Sequence, residues 1–89
     1  MPPVSSQLTI KNQLGLHARP AAVFVENANK FQSDIVVQKG AQRVNGKSIM
    51  GLMMLAAACG DKITLEIEGV DAAEALDHMA DIIENNFFE

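Results

Sequence analysis

The 89-residue sequence predicts a single α+β domain: a two-layer sandwich whose one sheet buries one face under three helices and leaves the other in water. Three observations carry that prediction. Ile63, Leu65 and Ile67 alternate with Thr64, Glu66 and Glu68, and Leu8 and Ile10 alternate with Gln7, Thr9 and Lys11, the period-two pattern of strands with one dry face. Ala21, Phe24, Val25 and Ala28 recur at i, i+3, i+4 and i+7, and Ala72, Leu76, Met79 and Ile83 share one face of a last helical segment. The segments follow the order strand, helix, strand, strand, helix, strand, helix, so a one-sided sheet meets amphipathic helices able to cover it.

Taken in order, residues 1–6 include Pro2, Pro3, Ser5 and Ser6 without periodicity and read as a disordered leader, leaving 7–89 as the domain. Residues 7–11 form the first strand, and the helix with Ala21 and Phe24 on its apolar face starts after a loop at Gly15. Residues 35–38 and 42–44 flank Lys39-Gly40-Ala41 and predict a hairpin. Asn45-Gly46 is itself a hairpin signal, but Ser48 followed by Ile49, Leu52, Met53 and Ala56 predicts a helix with Ser48 as N-cap and Gly60 as C-cap. Gly51 inside it costs about 1 kcal/mol relative to alanine, so a short helix is expected. After the strand at Ile63, Asp71 and Glu74 resemble a capping box opening the last helix, whose Glu74, Asp77, His78, Asp81 and Glu84 face outward.

Composition narrows the function classes. The chain is long enough for one core and too short for two, and with no Trp or Tyr and four Phe, aliphatic residues and five Met must fill it. Residues 1–60 carry a net charge of +4 and residues 61–89 a net charge of −8. An acidic domain without Trp or Tyr to stack on bases does not suit nucleic acid, whereas its basic half would steer docking onto an acidic protein. The lone Cys59 makes no internal disulfide and reads as a small buried hydrophobe, and no secretory pattern precedes it, so a reducing cytoplasm is expected. The uncharged apolar run 49–59 falls well short of the roughly 20 residues that a membrane helix needs. His78 among outward acids completes no metal site, and no metal or cofactor is expected.

The chemistry concentrates in Gly15-Leu16-His17-Ala18-Arg19-Pro20. Proline suits a first helical turn, because its missing N–H costs nothing there and its φ is already helical, so Pro20 pins a helix start just after His17. A helix start presents amides without intrahelical acceptors and acts like about half a positive charge. An imidazole placed there is a nucleophile when neutral. A phosphoryl group on it would meet the amide of Ala18, the amide of Arg19 and the Arg19 guanidinium, which binds phosphate oxygens through paired hydrogen bonds.

The stretch Gly15-Leu16-His17-Ala18-Arg19-Pro20-Ala21, followed about 30 residues later by Asn45-Gly46-Lys47-Ser48-Ile49-Met50-Gly51, resembles HPr, the histidine phosphocarrier family of the bacterial phosphoenolpyruvate-dependent sugar phosphotransferase system. The resemblance runs from about residue 7 to the C-terminus. It implies an open-faced sandwich with a four-stranded antiparallel sheet under three helices (βαββαβα). It also implies that His17 accepts phosphate from Enzyme I on Nδ1, assisted by Arg19, and passes it to IIA domains of sugar permeases, which makes the chain a transferase component without turnover of its own. A monomer is expected.

Ser48 sits where an N-cap is wanted, and its loss should cost about 1 kcal/mol. The resemblance adds phosphorylation of Ser48 by HPr kinase/phosphorylase, and with it binding to a catabolite-control transcription factor. It places the docking face at Lys47, Ile49, Met50 and Met53, a thioether-rich surface suited to several partners. Leu14 and Met54 depart from the small polar residues usual in the family. Two other readings follow: a regulatory HPr-like protein, of a nitrogen-linked branch or of catabolite control, that acts by partner binding, and an independent histidine phosphatase, for which no general acid or substrate pocket is apparent.

Overall fold

The computed structural model describes residues 2–88. Its elements are β1 (Val4–Thr9), α1 (Ala18–Ala28), β2 (Asp34–Lys39), β3 (Gln42–Asn45), α2 (Ile49–Met54), β4 (Lys62–Glu68) and α3 (Ala72–Glu84), closed by a turn at Asn86–Phe88. The strands form one antiparallel sheet in the order β1-β4-β2-β3. This is the open-faced βαββαβα sandwich that the sequence implies.

The register explains why the sheet has one dry face. Opposed residues of antiparallel strands share a face, and Val4 pairs with Ile67, Leu8 with Ile63, Ile35 with Ile67, and Val37 with Leu65. The row formed by Ile35, Val37, Ile63, Leu65 and Ile67 is buried and packs under Phe24 of α1, Leu52 of α2, and Met79, Ile82 and Ile83 of α3. On the other face Arg43 lies beside Glu66, with guanidinium-to-carboxylate contacts of 2.9 and 3.3 Å, an exposed pair that draws the Glu66 carboxyl below its ordinary value.

Several expectations change. The leader expected over 1–6 already belongs to the sheet from Val4, because Val4, Ser5 and Ser6 pair with Ile67, Glu66 and Leu65; Met1 lies outside the described residues. The two serines hid the strand, since Val4, Ser6 and Leu8 share a face that only the register reveals. α2 ends at Met54 instead of running to Gly60: Ala56 has φ +50°, and Gly60 with φ +93° serves the turn into β4, donating to the Ile10 carbonyl at 2.7 Å.

α3 buries Ala72, Ala75, Met79, Ile82 and Ile83, while Leu76 stays half-buried. Asp71 is its N-cap residue, yet its carboxylate does not close a capping box. It instead accepts the amides of Gln32 at 2.9 Å and Ser33 at 3.0 Å together with the Ser33 hydroxyl, fastening the start of α3 to the loop before β2. Those bonds, the hydroxyl's first, hold the Asp71 carboxyl below its ordinary value. Gly69 permits this closeness, since a Cβ there would lie 2.5 Å from the Ser33 hydroxyl oxygen.

His78 is not an outward group among acids. It is half-buried between α1 and α3, with Nε2 3.0 Å from Asn27 Oδ1 and its ring 5.5 Å from that of Phe31. Cys59 is exposed, not a buried hydrophobe, because it sits in the loop after α2 instead of on a helix face. No helix of the described residues is long and apolar enough to cross a membrane.

Candidate functional site

The loop between β1 and α1 is built to present one imidazole. Asn12 is buried and donates from Nδ2 to the Gly15 carbonyl at 2.6 Å, while the Gly15 amide returns to the Asn12 carbonyl at 3.0 Å. Gly15 needs to be glycine twice over: its φ is +71°, and a Cβ would lie 2.5 Å from the Ala57 carbonyl oxygen and 2.9 Å from Ala58 Cα. Leu16 is buried and its amide donates to that same Ala57 carbonyl at 2.8 Å. The chain is thus fixed on both sides immediately before His17.

His17 is the N-cap residue of α1, extended at φ −89° and ψ −170°, and its side chain makes no cap bond. Its Nε2 is buried, and the residue as a whole is partly exposed. The His17 carbonyl accepts the Ala21 amide at 3.0 Å, the first bond of the helix.

Ala18 and Arg19 hold the first two helical positions, where amides have no intrahelical acceptor, and Pro20 at the third has no amide to orphan. Pro20 is buried, while Ala18 and Arg19 are exposed. Neither an acidic side chain nor a capping group occupies this first turn. The imidazole thus stands at the N-terminus of an eleven-residue helix whose first turn holds the exposed Arg19, and the positive end of a helix suits an anion. Among the described residues no group of histidine, cysteine, aspartate and glutamate could hold a metal ion.

Ser48 occupies the position assigned to it. Its backbone is extended and its Oγ accepts the Gly51 amide at 3.0 Å, the N-cap of α2. Only Leu52 of this helix is buried; Ile49 and Met53 are exposed, as are Met50 at 75% and Met54 at 67%. Leu14, at the loop leading to His17, is 78% exposed. A single sheet beneath α2 covers one side and leaves the thioethers open. Lys47, expected on the docking face, uses its ammonium on the Phe31 carbonyl at 2.7 Å and is half-buried, so it ties the α2 approach to the loop between α1 and β2.

Three polar residues of this neighbourhood were not singled out by the sequence: Asn12, Lys39 and Asp61. Asn12, three residues before Gly15, carries the signal of a side-chain-closed turn. Lys39 and Asp61 lie 22 positions apart, and only the sheet brings them together.

Residues 4–85 match the family model described as the PTS HPr component phosphorylation site. The chain is 50% identical over 86 residues to phosphocarrier protein HPr of Neisseria meningitidis serogroup A, covering 97% of each chain. It is 49% identical over 81 residues to the HPr-like protein Crh of Halalkalibacterium halodurans, covering 91% of this chain and 96% of Crh. The crystal structure of HPr from Thermoanaerobacter tengcongensis superposes with a TM-score of 0.92 at 48% identity, over 97% of both chains.

Proposed function

Since the chain belongs to the HPr family of phosphocarrier proteins, we propose that His17 takes a phosphoryl group from Enzyme I, charged by phosphoenolpyruvate, and passes it to IIA domains of sugar permeases. The observation that carries the proposal is the imidazole placed at the N-cap of α1, directly before the exposed Ala18 and Arg19 of the first turn. Burial of Nε2 favours Nδ1 as the attacking atom. Its lone pair forms the N–P bond as the bond to the donor breaks. The new dianion then faces the amides of Ala18 and Arg19 and the Arg19 guanidinium, which hold it by charge-assisted hydrogen bonds. Because phosphoramidates are high in transfer potential and open to attack from the far side, the group is held briefly and given up to the next protein.

Exposed Met50 and Met53, with Ile49, form the apolar surface on which Enzyme I and IIA dock in this reading. Ser48 is the regulatory site: a phosphate there adds close to two negative charges beside that surface and repels an acidic partner. HPr kinase/phosphorylase and a catabolite-control transcription factor are the partners that this modification would bring. Likeness to Crh favours a second reading, an HPr-like regulator acting by partner binding, but a regulator alone has no use for an imidazole presented at a helix start. Incubation with Enzyme I and labelled phosphoenolpyruvate tests the carrier reading: acid-labile label on the wild type, transferable to a IIA domain and absent from His17→Ala, supports it, and acid-stable or absent label overturns it.

A further inference from the structure

The loop of residues 55–61, between α2 and β4, touches both halves of the site. On one side it is the shelf for the turn before His17: the Ala57 carbonyl takes the Leu16 amide at 2.8 Å, and Ala57 and Ala58 leave room for no more than a glycine at position 15. On the other side it is the tail of the helix that carries Met50, Met53 and Met54. What shapes this loop is one ammonium and one carboxylate. Lys39, at the end of β2, donates from Nζ to the carbonyls of Leu55 at 3.3 Å and Ala56 at 3.1 Å. The same nitrogen lies 3.1 Å from Asp61 Oδ2. That oxygen also accepts the Ala58 amide at 2.8 Å, and the Asp61 carbonyl accepts the Ile10 amide at 2.9 Å.

Each contact opposes a specific cost. The carbonyls at the end of a short helix lack intrahelical donors, and Lys39 supplies one. Ala56 adopts φ +50°, which an alanine does not hold without restraint, and its carbonyl is one that Lys39 grips. The Ala58 amide, first, and the Lys39 ammonium draw the Asp61 carboxyl below its ordinary value. A continuous run of contacts leads from Lys39 through Asp61 and Ala58 to Ala57, then to Gly15 and Leu16, whose next residue is His17.

We propose that Lys39 and Asp61 are positioning residues for phosphoryl transfer, bracing the 55–61 loop so that the turn before His17 and the end of the α2 docking helix keep a fixed relation. The proposal rests on the reading of His17 as phosphoryl acceptor. The ion pair is about one-third exposed on each side, at 34% and 36%, so its part in global stability is small and its action local.

The test uses the full chain with Lys39→Met, Asp61→Asn and the charge-conserving Lys39→Arg, following amide exchange at Leu16 by NMR and phosphoryl acceptance from Enzyme I. Lys39→Met and Asp61→Asn are expected to speed Leu16 exchange by about tenfold and lower kcat by about three- to tenfold, with KM and thermal midpoint nearly unchanged. Lys39→Arg should restore both to within about twofold of wild type, because a guanidinium keeps charge-assisted donors for the carbonyls and the carboxylate. Wild-type exchange and kcat in Lys39→Met and Asp61→Asn would overturn the proposal, as would faster exchange with wild-type kcat, or a Lys39→Arg as impaired as Lys39→Met. Should the wild type accept no phosphoryl group on His17, the carrier reading fails first, while Leu16 exchange still decides whether the brace exists.

Discussion

The hydroxyl of Ser48 accepts the amide of Gly51 at 3.0 Å, so the residue proposed as the regulatory phosphorylation site is also the cap of the docking helix. Removing the cap acceptor destabilises the helix by a known kind of amount. Ser48→Ala is expected to lower unfolding free energy by about 1 kcal/mol in urea titrations. Ser48→Asp keeps an acceptor and so should keep most of that stability, yet its charge should slow transfer from Enzyme I. Equal stability of Ser48→Ala and wild type would remove the cap from the account.

Met50 and Met53 are exposed on a helix whose only buried residue is Leu52. A charge placed there disturbs no core. Met50→Glu is therefore expected to leave the thermal midpoint within a few degrees of wild type while raising KM for Enzyme I by about tenfold or more, as loss of a central apolar contact does. Measuring both quantities on one preparation separates docking from folding; an unchanged KM would move the docking face elsewhere.

Asp71 carries an acid-sensitive fastening. Its ionised carboxylate accepts the Ser33 hydroxyl and the amides of Gln32 and Ser33, and these bonds lower its pKa from the ordinary 3.8. The unfolded chain therefore binds the proton first as pH falls. The stabilisation is fully present above the ordinary value and disappears as pH drops through the lowered one. Stability measured by urea from pH 7 to pH 2 should fall less steeply at the acid end in Asp71→Asn, which should also be the less stable protein at neutral pH. An acid limb of wild-type slope in that variant would assign the titration to other carboxylates.

The sheet's inner rows and the starts of α1 and α2 were legible because they rest on local pattern: alternation at Ile63, Leu65 and Ile67, a first-turn Pro20 after His17, and cap chemistry at Ser48. The errors fall where partners distant in sequence decide. Val4 and Ser6 look irregular until Ile67 and Leu65 are set against them. Asp71 sits in a capping pattern, but Ser33, 38 residues away, takes its carboxylate. His78 has acidic neighbours along its helix and Asn27 and Phe31 across from it. The same reason hid Lys39 and Asp61, each an ordinary surface charge in the sequence and together a brace in the fold.

Nδ1 of His17 is proposed to carry a phosphoryl group over the first amides of α1. NMR of the protein phosphorylated by Enzyme I and phosphoenolpyruvate tests it most directly, with phosphorus–nitrogen coupling locating the bond and amide shifts locating the oxygens. The expected result is coupling to Nδ1 of His17, with the Ala18 and Arg19 amides moved downfield and the Arg19 guanidinium protected. Phosphorus on Nε2 or on any other residue, or first-turn amides that do not respond, would contradict it.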